Sequence, residues 1–146
     1  MPELSRYLYL AGAVPFLVLG AAHVIATPRA PRDARGLSPS DPALAESMTR
    51  SGLRMTRRTD MWRAWVGFNL SHSLGVIAFG GFVVLTGRSA AVFDPQAQAC
   101  VPLAFLVATG YLWLALRYWF RTPIMGCAIA VALFLASWIA LVVGGP

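Results

Sequence analysis

The sequence contains no lysine: all twelve basic residues are arginine, opposed by only six acids, for a formal charge of +6 and a pI near 10.4. A nucleic-acid binder of that pI would spread its basic residues over one face with aromatics between them, whereas here the arginines crowd between apolar runs, so nucleic acid is not an expected partner. Cysteine is also scarce. The expected spans place Cys100 and Cys127 near opposite faces of the membrane. A bilayer core is about 30 Å thick and a disulfide requires Cα atoms within about 7 Å, so the two cannot pair within one chain. Neither has a histidine near it in sequence to make it a nucleophile, and both read as packing residues. Every Asp and Glu lies outside the apolar runs. That absence excludes the intramembrane carboxylates used in proton relays, and it leaves the histidines without a third ligand for a metal ion.

What the chain does have is hydrocarbon: 58% of its 146 residues are hydrophobic and the mean hydropathy is +0.63. Four runs, at about 8–26, 61–85, 99–119 and 123–143, are long enough to cross a bilayer at about 1.5 Å per residue. The expected fold is all-α, a single integral membrane domain built as a four-helix bundle. A cleaved signal peptide is the competing reading of the first run. Glu3 and Arg6 ahead of it, and its length, favour a retained span. Thr27 and Pro28 end the first run, and Asp60 is placed to cap the second. Thr122 and Pro123 read as the cap and first residue of the fourth, which Gly144, Gly145 and Pro146 close.

Basic residues near span ends are retained in the cytoplasm. The first loop holds Arg29, Arg32, Arg35, Arg50, Arg54, Arg57 and Arg58; Arg63, Arg117 and Arg121 fall on the same side, against Arg6 and Arg88 on the other. The termini are therefore expected outside the cytoplasm. Residues 27–60 are too long for a simple connector. Asp41-Pro42 signals a helix start, and an interfacial amphipathic helix is expected over about 42–58. Leu44, Met48, Met55 and Trp62 share its apolar side, with Arg50, Arg54, Arg57 and Arg58 opposite to meet anionic lipid headgroups. Gly52 weakens that helix and is a point at which it can break.

The second span carries the most informative stretch, Gly67-Phe68-Asn69-Leu70-Ser71-His72-Ser73-Leu74-Gly75. Gly67, Ser71 and Gly75 form a small-residue stripe, expected to pack closely on a neighbouring helix. Beside it runs a polar and aromatic stripe of Trp62, Trp65, Asn69, His72 and Val76, expected to face the bundle or a wet cavity. The two histidines, His23 and His72, both lie within spans, where ionisable groups are costly enough to suggest function; the alternative is a hydrogen-bond clasp between helices. Bis-histidine b-type haem would use both as axial ligands. Counted from the cytoplasmic boundary the two are offset by roughly 10 Å at 1.5 Å per residue, which counts against haem. No cofactor or metal is otherwise expected. The reading that remains is a pocket, apolar overall, where His72, Asn69, His23, Trp65 and Arg63 converge from the cytoplasmic side on a small apolar or lipid-like ligand. Its rivals are a structural subunit of a membrane complex or homo-oligomer, and an enzyme acting on a lipid-like substrate with His72 as acid or base. For the clasp, the third and fourth spans offer Asn69 and His72 few partners, chiefly Thr109, Tyr111 and Ser137, so some of their hydrogen-bonding capacity is expected to remain for water or ligand.

The pairing of His23-Val24-Ile25-Ala26-Thr27-Pro28 with Trp65 to Gly75 resembles a group of small uncharacterised four-span bacterial membrane proteins. The likeness covers the first two spans, implies a multi-pass protein of the cell inner membrane, and brings no activity with it.

Overall fold

The computed structural model describes residues 2–88 and 99–144, so Met1, Ser89, Gly145 and Pro146 lie outside the described residues. It is mostly helical. The elements are α1 (Pro2–Ala26), α2 (Pro42–Arg50), β1 (Gly52–Leu53), β2 (Thr56–Asp60), α3 (Met61–Arg88), α4 (Cys100–Tyr118) and α5 (Arg121–Gly144). The four long helices, α1, α3, α4 and α5, are long and apolar enough to cross a membrane, with mean hydropathies of 2.0, 1.6, 1.6 and 2.5 over their most apolar stretches.

Two compact units divide the chain, one of Met1–Leu19 with Val76–Pro146 and one of Gly20–Gly75. In the first, the core is small and aromatic: Tyr9, Ala13 and Phe16 of α1, Val76 and Val83 of α3, Val101, Ala104 and Ala108 of α4, Ala130 and Phe134 of α5. Phe16 meets Phe79 and Tyr111 edge-on, at 4.7 and 5.4 Å between ring centres. The outward side chains are the larger apolar ones, among them Val18, Leu85, Leu106, Leu116 and Val142. Small residues inside and large apolar residues outside reverse the order of a water-soluble helical protein, and suit helices that gain from close backbone approach while their outer faces meet lipid. Close approach is literal at Gly12 and Gly80. An added Cβ would stand 2.5 Å from the Phe134 ring at the first and 2.8 Å from Leu17 at the second. α4 and α5, joined by only Trp119 and Phe120, pack on each other, with Ala104, Ala108 and Ala115 buried on α4 and Cys127, Ala130 and Phe134 buried on α5. The fourth span begins earlier than Thr122 and Pro123 suggested. The Ile124 N–H bonds the Phe120 carbonyl at 3.5 Å, so Arg121 opens the helix and proline is tolerated in its first turn, where no intrahelical donor is needed.

In the second unit the loop after α1 folds back onto the helix end. Arg35 donates to the Ile25 carbonyl at 3.0 Å and the Leu37 N–H to the Ala26 carbonyl at 3.1 Å, satisfying acceptors that the helix leaves open. Asp41 caps α2 by accepting from the Ala43 N–H at 2.8 Å, and Asp60 caps α3 by accepting from the Arg63 N–H at 2.8 Å. Between the caps the expected helix over 42–58 is corrected. It stops at Arg50, and β1 and β2 form an antiparallel hairpin whose turn is Arg54 and Met55. Ser51 is already extended, Gly52 is a poor helix former, and Thr56 and Thr59 suit a strand, so the break at Gly52 becomes a change of structure. Arg54, Arg57 and Arg58 therefore sit on the hairpin and only Arg50 on α2. The shared apolar side also dissolves, with Met55 fully exposed at the turn, Leu44 exposed, and Ala45 the buried residue of α2.

Candidate functional site

The second unit joins α1 to α3 through one amide. The Asn69 side-chain nitrogen donates to the Trp65 carbonyl one turn earlier at 2.8 Å. A carbonyl only accepts, so this bond fixes which end of the amide is which, and Oδ1 is the atom turned to His23. His23 Nε2 lies 2.9 Å from it and is the donor, which makes the neutral ring the Nε2–H tautomer. The His23 ring then meets His72 edge to face, 5.2 Å between centres at 64°. Phe68 lies nearly parallel to His72 at 6.4 Å, and Trp62 stands 5.5 Å from Trp65. Asn69 is buried, while His23, His72 and Trp65 are half-buried, so the cluster has a sealed floor and an open side.

Of the expected ligand residues, His23, Asn69, Trp65 and His72 come together. Arg63 does not: it is exposed, nine residues before His72 and so on the opposite side of α3 at about 100° per residue. The 10 Å offset between the histidines is also corrected. It was counted from helix ends taken to lie at one depth, yet His23, the fourth residue from the end of α1, is level with Asn69, the ninth of α3. The rings touch directly, whereas axial haem ligands face each other across a porphyrin plane. The candidate clasp residues of the third and fourth spans have contacts of their own. Thr109 bonds its own helix at Phe105, Tyr111 packs on Phe16, and Ser137 bonds Ser5. The partner of the Asn69 amide oxygen comes from α1.

The stripe of Gly67, Ser71 and Gly75 is corrected as well. Ser71 is exposed, and an added Cβ on Gly67 or Gly75 would meet nothing within 4 Å. The face of α3 that is buried carries Trp62, Asn69 and Ser73 in this unit. Two groups were missed. Ser73 donates to the Asn69 carbonyl at 2.9 Å and Thr27 to the His23 carbonyl at 2.7 Å. Both lie four residues after the carbonyl they bond, a spacing visible in the sequence.

Among the described residues no group of three or more His, Cys, Asp and Glu is placed to hold a metal ion. Chemically the cluster offers two imidazoles in contact, one with its tautomer fixed by a buried amide, beside aromatic faces. Comparison with protein-family models, with curated proteins and with solved structures returned no match.

Proposed function

We propose that this is a multi-pass protein of the cell inner membrane, with both termini outside the cytoplasm, that binds a small amphipathic molecule at His72. The ligand's polar group meets the imidazole and its apolar body lies along Phe68 and the adjoining helix surface. The observation that carries the reading is the half-buried His72 ring held against His23, itself tied to Asn69, within helices long and apolar enough to cross a membrane. A hydrogen-bond clasp needs only His23 and Asn69. His72 adds a second imidazole beside that pair, and ionisable groups within a span are costly enough to mark functional candidates. The arginine-rich first loop supports the orientation and contact with anionic headgroups, by the retention of positive charge in the cytoplasm.

The test is native mass spectrometry of the protein in nanodiscs made from cell lipid, comparing the parent with His72→Leu and Asn69→Leu. We expect His72→Leu to lose a small molecule that the parent retains, with its melting temperature unchanged. Identical retained molecules in parent and His72→Leu, together with a lower melting temperature in Asn69→Leu, would leave the clasp as the whole role of the cluster.

A further inference from the structure

Away from the histidines, the first loop holds a cavity of about 380 Å³ lined by Ala30, Pro31, Arg32, Glu46, Thr49 and Arg50. Small-molecule sites measure about 300–1,000 Å³, so it is large enough for a phosphate ester. Two guanidiniums reach one carboxylate from either side: Arg32 Nη2 is 3.5 Å from Glu46 Oε1, and Arg50 Nη1 is 3.8 Å from Glu46 Oε2. Charge-assisted bonds of this kind close to about 2.7–2.9 Å when they are strong, so both pairs are loose. The arginine side chains are 89% and 72% exposed, and water screens such pairs until they are worth little. Two positive charges against one negative leave the cavity cationic, with both guanidiniums already aimed at a shared pair of oxygens.

We infer that this cavity binds a phosphate group, with Arg32 and Arg50 gripping its oxygens and Glu46 serving as an internal competitor that swings out when phosphate enters. The guanidinium fork recognises carboxylate and phosphate in the same way; a phosphate monoester brings more charge than a carboxylate, and a diester headgroup presents its charge on oxygens spread for two guanidiniums at once. The other lining groups add little: Thr49 spends its hydroxyl on the Glu46 carbonyl at 2.7 Å, and the carbonyl end of α2, at Arg50, is unfavourable to an anion. Affinity therefore rests on the two arginines. The phosphate belongs to an anionic lipid headgroup or to a soluble ester. The loop joins the ends of two helices long enough to cross a membrane, which puts headgroups within reach.

The full chain is assayed in neutral detergent by calorimetric titration with glycerol 3-phosphate, and in phosphatidylcholine nanodiscs doped with phosphatidylglycerol by counting the anionic lipids each chain retains. The variants are Glu46→Gln, the pair Arg32→Ala/Arg50→Ala, and the pair Arg54→Ala/Arg57→Ala on the hairpin, each with its melting temperature. We expect Glu46→Gln to bind tighter, the Arg32/Arg50 pair to bind at least about tenfold weaker, and the hairpin pair to change far less. Binding of glycerol 3-phosphate in detergent identifies a soluble ester; saturable retention of phosphatidylglycerol alone identifies a headgroup. Weaker binding by Glu46→Gln, equal losses in the two arginine pairs, or no binding of either probe by the parent overturns the assignment.

Discussion

Ser5 and Ser137 each hold the other's backbone: Ser5 Oγ donates to the Ser137 carbonyl at 2.9 Å, Ser137 Oγ donates to the Ser5 carbonyl at 2.8 Å, and the two oxygens lie 3.1 Å apart. Both residues are fully buried, so α1 and α5 are fastened at a point where neither serine has water as an alternative. Hydrogen bonds between membrane helices are worth about 0.6 kcal/mol on average and reach about 1.7 kcal/mol. Ser5→Ala and Ser137→Ala should each destabilise the protein by about 1 kcal/mol. Because the hydroxyls also touch each other, the double variant should cost less than the sum. Additive losses in thermal unfolding would mean that the two bonds are independent.

The glycines separate into inward and outward sets, and substitution should tell them apart. Gly12→Ala places a methyl 2.5 Å from the buried Phe134 ring, which Tyr9 and Phe79 hold from two sides. Overpacking of this kind costs about 1–3 kcal/mol. Gly75→Ala meets nothing within 4 Å and should leave the melting temperature unchanged or slightly raised, since alanine favours a helix. Equal effects at the two positions would show that the tight contact at Phe134 relaxes freely.

This contrast marks what the sequence could and could not reveal. The spans were legible because length and hydropathy are summed over many residues, so an error of two or three at an end changes little. The caps at Asp41 and Asp60 were legible because capping is local. The small-residue face was not. Gly67, Ser71 and Gly75 share a stripe, but Ser73, Gly80 and Gly87 on the buried side are just as regularly spaced, and spacing alone does not say which stripe meets a neighbour. The site was legible in its members and not in its bonds. His23 and Asn69 stood out as polar groups among apolar ones, while their pairing depends on how far α3 extends beyond the end of α1, which no local pattern encodes.

Asp33 organises the loop that returns to α1. Its carboxylate accepts from the Arg29 N–H at 3.0 Å and from Arg35 at 2.7 Å, and these bonds, the backbone one foremost, hold its carboxyl below the usual aspartate range. A carboxyl with a lowered folded pKa contributes stability that is fully present above its unfolded value, near 3.9, and is lost as pH falls through the folded one. The Arg29 amide resonance should therefore titrate with a midpoint below about 3.9 and lose that titration in Asp33→Asn. A midpoint at or above the ordinary value would detach Asp33 from the loop's order.

The orientation is open to single-cysteine labelling in a Cys100→Ala/Cys127→Ala background. A cysteine introduced at Ser38 should resist an impermeant reagent in intact cells, while one at Ser89 should react. Reaction at position 38 would invert the topology and remove the basis for the cytoplasmic side assigned to the first loop.

The link of Trp119 and Phe120 between α4 and α5 fixes how this half of the chain is made as well as how it rests. Two residues leave the helices no choice but to run antiparallel as immediate neighbours, and α4 buries a face of small residues, Ala104, Ala108 and Ala115. Helices so joined are suited to entering a bilayer together as one hairpin, with Arg117 and Arg121 beside its turn. A ribosome that stalls after Tyr118 would release a helix whose narrow, small-residue side faces lipid with nothing to fill it, and such a chain should be marked for degradation while the completed hairpin is not.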